Sequence, residues 1–277
     1  VRLAGFKVPV DRLSFSALAT FMTCPEQFRV ERIEKRWGRR GLSGFVGNVH
    51  HEAISELLAK RRVESGFIPI GGDITEAFES AWDTSLQEEE PEWELRPADV
   101  ISNGLKMLGS FVDTLWTAID PNAETEVWIE ETVPGVPVPV CGKVDCWEPT
   151  LTREFKTAKQ KVSEPKAKWR MQALIYQLFT ELPTEFSVTT RQVTPVTWWS
   201  GTSPSLALPL GNRDATHRLV VQAVEQMNDC FARYGPDETW PLNGLLHQYQ
   251  CGYCPAGPKN THPTCPAWRT DGEAAAA

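Results

Sequence analysis

The stretch of this sequence richest in chemistry is 141–156, CGKVDCWEPTLTREFK. It holds one aspartate, Asp145, then a turn, then Glu154, Phe155 and Lys156. Side chains along a β-strand alternate between its faces, so in REFKT Glu154 and Lys156 share one face and Phe155 takes the other, toward a core. Asp145 stands near the end of the preceding strand, and a hairpin would bring it to Glu154. Two carboxylates held close repel each other unless positive charge sits between them. A hard divalent cation does that, because Mg²⁺ and Mn²⁺ take carboxylate and carbonyl oxygens. The backbone carbonyl of Phe155 would point near the same place. Lys156 then has a job, to stabilise charge on a phosphate or help orient a water. On the pattern alone, the plainer alternative is a solvated hairpin with a cross-strand lysine–carboxylate pair.

A second set of reactive side chains is made of cysteines. The chain has seven, at 24, 141, 146, 230, 251, 254 and 265, and an odd count argues against a disulfide framework. Cys251 and Cys254 form a C-x-x-C chelate unit, with Cys265 close behind. Three thiolates are one short of a tetrahedral set, and Cys24 in TCPEQF is the candidate fourth, with His247 and His262 as rivals. Zinc would suit these ligands. Cys141, Cys146 and Cys230 fall on predicted strands or a helix and read as buried, apolar-like residues.

Elements that could position these groups follow from periodicity. Ser14 is a plausible N-cap of a short amphipathic helix, and Pro25 marks a break or a new first turn. Helical spacing continues over 47–63, 74–88 and 97–119. Alternation then takes over in TEVWIEETV and VPVPVCGKVDCW, with LTREFKT as a third strand after the EPT turn. A helix over 167–182, a strand in EFSVTTRQVTPV and a helix over RDATHRLVVQAVEQMNDCFARY complete the order. Beyond Gly235 the chain is rich in Pro, Gly and Cys and has no periodicity.

The 277 residues carry a net charge of −8, from 28 basic and 36 acidic residues, which argues mildly against a nonspecific nucleic-acid coat. Basic residues are unevenly placed, however, and KTAKQKVSEPKAKWR (156–170) would suit a local phosphate-tracking groove. No apolar run approaches the roughly 20 residues of a membrane span, and VRLAGFKVPVDRLSF lacks a signal-peptide core, so the expectation is a cytoplasmic protein with no membrane partner. Residues 273–277 read as a disordered tail or an artificial remnant.

In its motifs and their order, the chain resembles the RecB-like branch of the PD-(D/E)XK nuclease superfamily. LSFSALATFMTCPEQFRVERI looks like that branch's N-terminal Ser…Cys-Pro…Phe helix, and GNVHHEAISEL like its Gly-x-x-x-His helix. GKVDCWE looks like its Gly-x-x-Asp strand, REFKTAK like its acid-x-Lys strand, and QALIYQL like its Gln-x-x-x-Tyr helix. The resemblance implies an α/β fold, a small mixed sheet flanked by helices. It implies one or two Mg²⁺ or Mn²⁺ ions held by His51, Asp145, Glu154 and the Phe155 carbonyl. His50, about 100° round the helix, is left out. Lys156 would assist, and Gln172 and Tyr176, i and i+4 on one helix, would position the strand. Lys159, Lys161, Lys166, Lys168 and Arg170 would track its backbone. A subset of the branch, including AddB nuclease domains and CRISPR-associated single-domain exonucleases with phage-encoded relatives, holds a [4Fe–4S] cluster by one N-terminal and three C-terminal cysteines. Here those would be Cys24, Cys251, Cys254 and Cys265.

Taken together, the expectation is one nuclease domain over 1–272, with an iron–sulfur subdomain built from about 12–40 and 236–270. Its activity would be metal-dependent exonucleolytic cleavage of single-stranded DNA, 5′→3′, in recombination, repair or CRISPR or phage DNA processing. An endonuclease or a DNA-end-binding adaptor is the alternative. No G-x-x-x-x-G-K-[ST] motif is present, so a helicase, a recombinase or a CRISPR integrase would be a separate chain. Two features depart from the family pattern: Val144 precedes Asp145 where Pro is frequent, and the gap from Cys254 to Cys265 is long.

Overall fold

The computed structural model describes residues 7–38, 41–88 and 90–242. In chain order the elements are β1 (Leu13–Ser14), α1 (Phe15–Thr23), α2 (Pro25–Phe28) continuing into a π-helical turn (Arg29–Ile33), α3 (Leu42–Val63), α4 (Gly71–Glu88) and α5 (Pro97–Leu115). There follow β2 (Glu124–Glu131), β3 (Val140–Trp147), β4 (Thr152–Ala158), α6 (Ala167–Thr180), β5 (Thr184–Thr190), β6 (Thr197–Trp198), β7 (Ala207–Leu208) and α7 (Arg213–Tyr234). The chain divides into two compact units.

One unit takes in the described residues of Val1–Arg39, Glu130–Gly142 and Asp214–Ala277. Ser14 caps α1, its Oγ accepting from the Ala17 N–H at 3.2 Å. Pro25 opens α2, where the N–H it lacks would have had no helical partner. The Phe28 ring stacks on Trp240 at 6.1 Å, and Phe21 meets Phe28 edge-on at 5.7 Å. Beside these rings lies a buried ion pair, Glu26 with Arg29 at 2.7 Å. Its remaining bonding capacity is met by Glu34, which also pairs with Arg29, and by the chain beyond α7: the Trp240 N–H donates to Glu26 at 2.8 Å and Arg29 donates to the Pro236 carbonyl at 2.7 Å. A buried charge pair is tolerable only when satisfied in this way.

The other unit takes in Arg40–Ile129 and Lys143–Arg213. Helices α3, α4 and α5 pack on one another through Phe45, Ile54, Leu57, Phe78, Trp82, Leu108 and Phe111, and Cys146 and Phe155 of the sheet join that core. Gly104 is needed where α5 meets α4, because a Cβ there would stand 2.4 Å from the Phe78 ring. Strand β3 pairs antiparallel with β4 through Cys146↔Arg153 and Trp147↔Thr152. Strand β4 pairs in parallel with β5 from Thr152↔Thr184 to Ala158↔Thr190. A parallel pair needs a crossover, and α6 supplies it. A smaller core of Ala158, Ala173, Phe186, Val188 and Leu206, with Trp169 and Trp198 at its edge, seals α6 to the sheet. The result is a mixed sheet flanked by helices.

The periodic helices and the central strands lie where spacing predicts them, with shifted ends. Strand β3 starts at Val140 because Pro137 and Pro139 lack ladder donors. The expected strand EFSVTTRQVTPV stops at Thr190, and Arg191–Val196 form a loop before β6. Cys141 and Cys146 are buried as expected; Cys230 is only half-buried, on a partly solvated side of α7. No helix among the described residues is long and apolar enough to cross a membrane.

Candidate active site

The β3–β4 register, carried one residue past Cys146↔Arg153, sets Asp145 opposite Glu154. Asp145 and Glu154 are both buried, and Phe155 points the other way, into the helical core. Lys156 lies between the carboxylates: its Nζ is 2.6 Å from Glu154 Oε2 and 3.5 Å from Asp145 Oδ2. The Phe155 N–H donates to Asp145 Oδ2 at 2.8 Å. In a strand the carbonyl leaves the backbone on the same side as its own N–H, so the Phe155 carbonyl is directed to this edge too.

Helix α3 brings in the next group. His51 Nδ1 is 3.5 Å from Asp145 Oδ1, and its ring meets Phe155 edge-on at 6.2 Å. His50 faces the helical core, where burial pushes its pKa down to about 3 and keeps the ring neutral. From α6, Tyr176 donates to the Lys143 carbonyl at 3.0 Å and accepts from Gln172 at 3.3 Å. Spacing of i, i+4 thus puts the amide and the phenol in one hydrogen-bond chain.

Burial and neighbouring charge set the protonation states. Burial raises the Glu154 pKa, the negative charge of Asp145 raises it further, and Lys156 only partly opposes them. Burial acts in the same sense on Asp145, but Lys156 and His51 outweigh it and hold that carboxyl below its usual range. Burial would discharge Lys156; the two carboxylates more than offset that and keep it an ammonium. Burial, then the charge of Glu154, holds the Tyr176 phenol protonated.

Sequence spacing did not single out Glu126. It lies on β2 with a left-handed backbone, φ 55°, and its carboxylate, His51 and Asp145 offer ligand atoms all within 4.8 Å of one another. A non-glycine residue in that conformation within a strand is strained, and such strain is found at functional sites more often than elsewhere. Its other partner is Lys143. In the sequence Glu126 is one of several acids in ETEVWIEE, and only the fold selects it.

The donor set fits a hard divalent cation. Glu154 Oε1 is buried and has no hydrogen-bond partner, although Glu154 stands outside the group of His51, Glu126 and Asp145 whose ligand atoms lie within 4.8 Å of one another. Carboxylate and carbonyl oxygens with one imidazole nitrogen suit Mg²⁺ or Mn²⁺.

The basic residues picked from the sequence are all exposed but differ in surroundings. Lys161 lies 3.6 Å from the centre of the Trp198 ring and Lys166 5.1 Å from that of Trp169. Arg170 is tied to Glu164 at 2.6 Å. Lys159 lines an open cavity, and Lys168 lies at the start of α6. Of the expected cluster ligands, Cys24 is half-buried with a free thiol; Cys251, Cys254 and Cys265, with the rivals His247 and His262, lie outside the described residues.

A mixed sheet that presents an aspartate across from an acid-x-lysine strand defines a class of metal-dependent hydrolase. Over residues 12–258 the sequence matches the PD-(D/E)XK nuclease superfamily, and the chain belongs to that superfamily. Its reaction class is therefore hydrolysis of nucleic acid. No curated protein matches the chain in sequence. Among solved structures, SSO0001 superposes with a TM-score of 0.44 at 17% identity, over 94% of this chain and 88% of that one. A "Putative exonuclease" from Eubacterium rectale superposes with a TM-score of 0.49 at 10% identity, over 79% and 82%. At these values neither neighbour bears on the chemistry of the site.

Proposed function

We propose that this protein is a Mg²⁺- or Mn²⁺-dependent deoxyribonuclease of the RecB-like branch that degrades single-stranded DNA from its ends, 5′→3′. The observation that carries the metal-dependent part is the buried set Asp145, Glu154 and Lys156, with Glu154 Oε1 left without a partner. His51, Asp145, Glu154 and the Phe155 carbonyl would hold the ion, with Glu126 as a further oxygen donor. When bound, the ion supplies Lewis-acid polarisation of the phosphate and lowers the pKa of a water. Lys156 stays charged and donates to phosphate oxygens as negative charge builds on them. Tyr176, kept protonated, gives its one proton to the Lys143 carbonyl and holds Gln172 in place, so the strand would be oriented by the remaining amide groups of Gln172. Lys159, Lys161, Lys166, Lys168 and Arg170 supply the positive surface along which a phosphate backbone runs.

We also propose a [4Fe–4S] cluster on Cys24, Cys251, Cys254 and Cys265. Support comes from the contacts of Trp240 and Pro236 with Glu26 and Arg29, which bring the chain just before the C-terminal cysteines back to the helix that follows Cys24. Absorption spectra and iron, sulfide and zinc analysis of the anaerobically purified protein, with Cys24→Ala beside it, separate that cluster from a zinc site. A cytoplasmic setting and a separate helicase, recombinase or CRISPR integrase partner complete the proposal.

The test is Mn²⁺-dependent digestion of linear single-stranded DNA labelled at its 5′ or 3′ end, with circular single-stranded DNA alongside and Glu154→Ala as control. Loss of linear DNA with early release of the 5′ label and the circle spared is expected. A cut circle would replace the exonuclease with an endonuclease. No cleavage by folded, cluster-loaded protein would leave a DNA-end-binding adaptor.

A further inference from the structure

The parallel strands β4 and β5 end side by side at Ala158↔Thr190. In open α/β sheets the space beyond the carboxyl ends of parallel strands is where ligands bind. Here it is a cavity of about 590 Å³ lined by Lys159, Gln160, Arg191, Gln192, Val193 and Thr194. The lining holds two cations, two amides and a hydroxyl, and no carboxylate. The loop that forms its far wall is pinned at its base: the Arg191 N–H donates to the Ala158 carbonyl at 2.7 Å, and the Thr190 N–H to the Val196 carbonyl at 3.0 Å. Arg191 uses one guanidinium nitrogen on Ser43, while its Nε is buried without an acceptor. Val193, 87% exposed, stands at the rim as an apolar contact for a sugar or base.

We propose that this cavity is a subsite for a non-scissile phosphate of the nucleic-acid strand, held between Lys159 and Arg191. The proposal presupposes the nuclease function above and adds an anchor to it. Lys159 follows Lys156 by three residues, just beyond the end of β4, a rise of about 10 Å; the odd spacing turns the two side chains to different faces, so a strand held by both would pass over that end of the sheet. A phosphate held there fixes the register of the strand, and with it which bond meets Glu154. Arg191, with Nη1 on Ser43 and Nε buried, would meet a phosphate oxygen through Nη2, while Lys159 supplies a mobile point charge. Gln160, Gln192 and Thr194 can bond a sugar or a base edge without adding charge.

Binding of a fluorescein-labelled oligothymidylate, followed by anisotropy across a salt series without added divalent metal, tests this. Lys159→Gln and the Lys159→Gln/Arg191→Gln pair are compared with Lys106→Gln, which removes an exposed charge from α5. Each cation removed from the phosphate should lower the salt slope by about 0.7. Without one charge-assisted hydrogen bond, binding at low salt should weaken roughly tenfold. Lys106→Gln should change neither. Lys159 is exposed, so its substitution tests the subsite even if the Arg191 variant folds poorly. With Mn²⁺, oligonucleotides carrying one neutral methylphosphonate linkage at successive positions should reveal a second sensitive position besides the cleaved bond, and the paired variant should lose that sensitivity. Wild-type protein that binds and cuts, beside a paired variant with unchanged slope and unchanged position dependence, overturns the subsite and leaves the nuclease standing. Wild-type protein that neither binds nor cuts single strands overturns both.

Discussion

Strand β4 carries two buried ionic clusters on neighbouring residues, and they differ in one respect. Arg153 sits between Glu148 at 2.9 Å and Glu185 at 2.6 Å; Lys156 sits between Glu154 and Asp145. Each has one cation and two carboxylates, and each is taken from water. Around Arg153 the second oxygens are also used: Glu148 accepts the Asp120 N–H at 2.9 Å, and Glu185 accepts the Ser200 hydroxyl at 2.6 Å. Around Lys156, Glu154 Oε1 accepts nothing. Burial and charge count therefore do not tell a structural cluster from a reactive one. The open acceptor is what sets them apart, and a bound ion would recover the stability that an unpaired buried oxygen costs.

The sharpest way to test that contrast is to change one cluster at a time. Glu154→Gln should lower cleavage by about a hundred- to a thousandfold or more, with a melting temperature no lower than wild type. Melting alongside single-turnover cleavage decides it, and a variant that unfolds would make this cluster structural instead. Arg153→Met should do the reverse. Stranding Glu148 and Glu185 should cost about 3–5 kcal/mol in urea denaturation, because two carboxylates are left in place without their cation.

Smaller effects sharpen the comparison further. Mn²⁺ at about a hundred times its Kd should stabilise the folded protein by about 2.7 kcal/mol, and that increment should vanish in Glu154→Gln while persisting in Arg153→Lys. Equal stabilisation in both variants would mean that the ion binds elsewhere. Finally, Glu126→Gln should weaken Mn²⁺ binding by about tenfold in calorimetric titration, with little change in stability without metal. Unchanged affinity would assign Glu126 to its ion pair with Lys143 alone.

Much of the site was legible because strand and helix periods are strict. A period of two places Glu154 and Lys156 together and sends Phe155 inward. A period of 3.6 separates His51 from His50 and joins Gln172 to Tyr176. Glu126 was not legible, since its selection depends on a left-handed residue inside β2 that no residue type announces. Arg191 was hidden for a similar reason. It falls in a stretch that alternates like a strand, yet β5 ends one residue before it. The two-residue strands β1, β6 and β7 are too short to carry any period.

By itself the sequence determined the kinds of chemistry available: an acid pair with a lysine, a histidine one helix away, and a set of thiols at the chain's ends. Its local periodicities also determined which of those groups share a face, because that depends only on backbone geometry. Tertiary structure alone decided which carboxylates meet, which cation neutralises them, and which oxygen is left open. Those outcomes depend on strand register, on burial and on residues far apart in the chain, such as His51 and Asp145, whose approach no local pattern encodes.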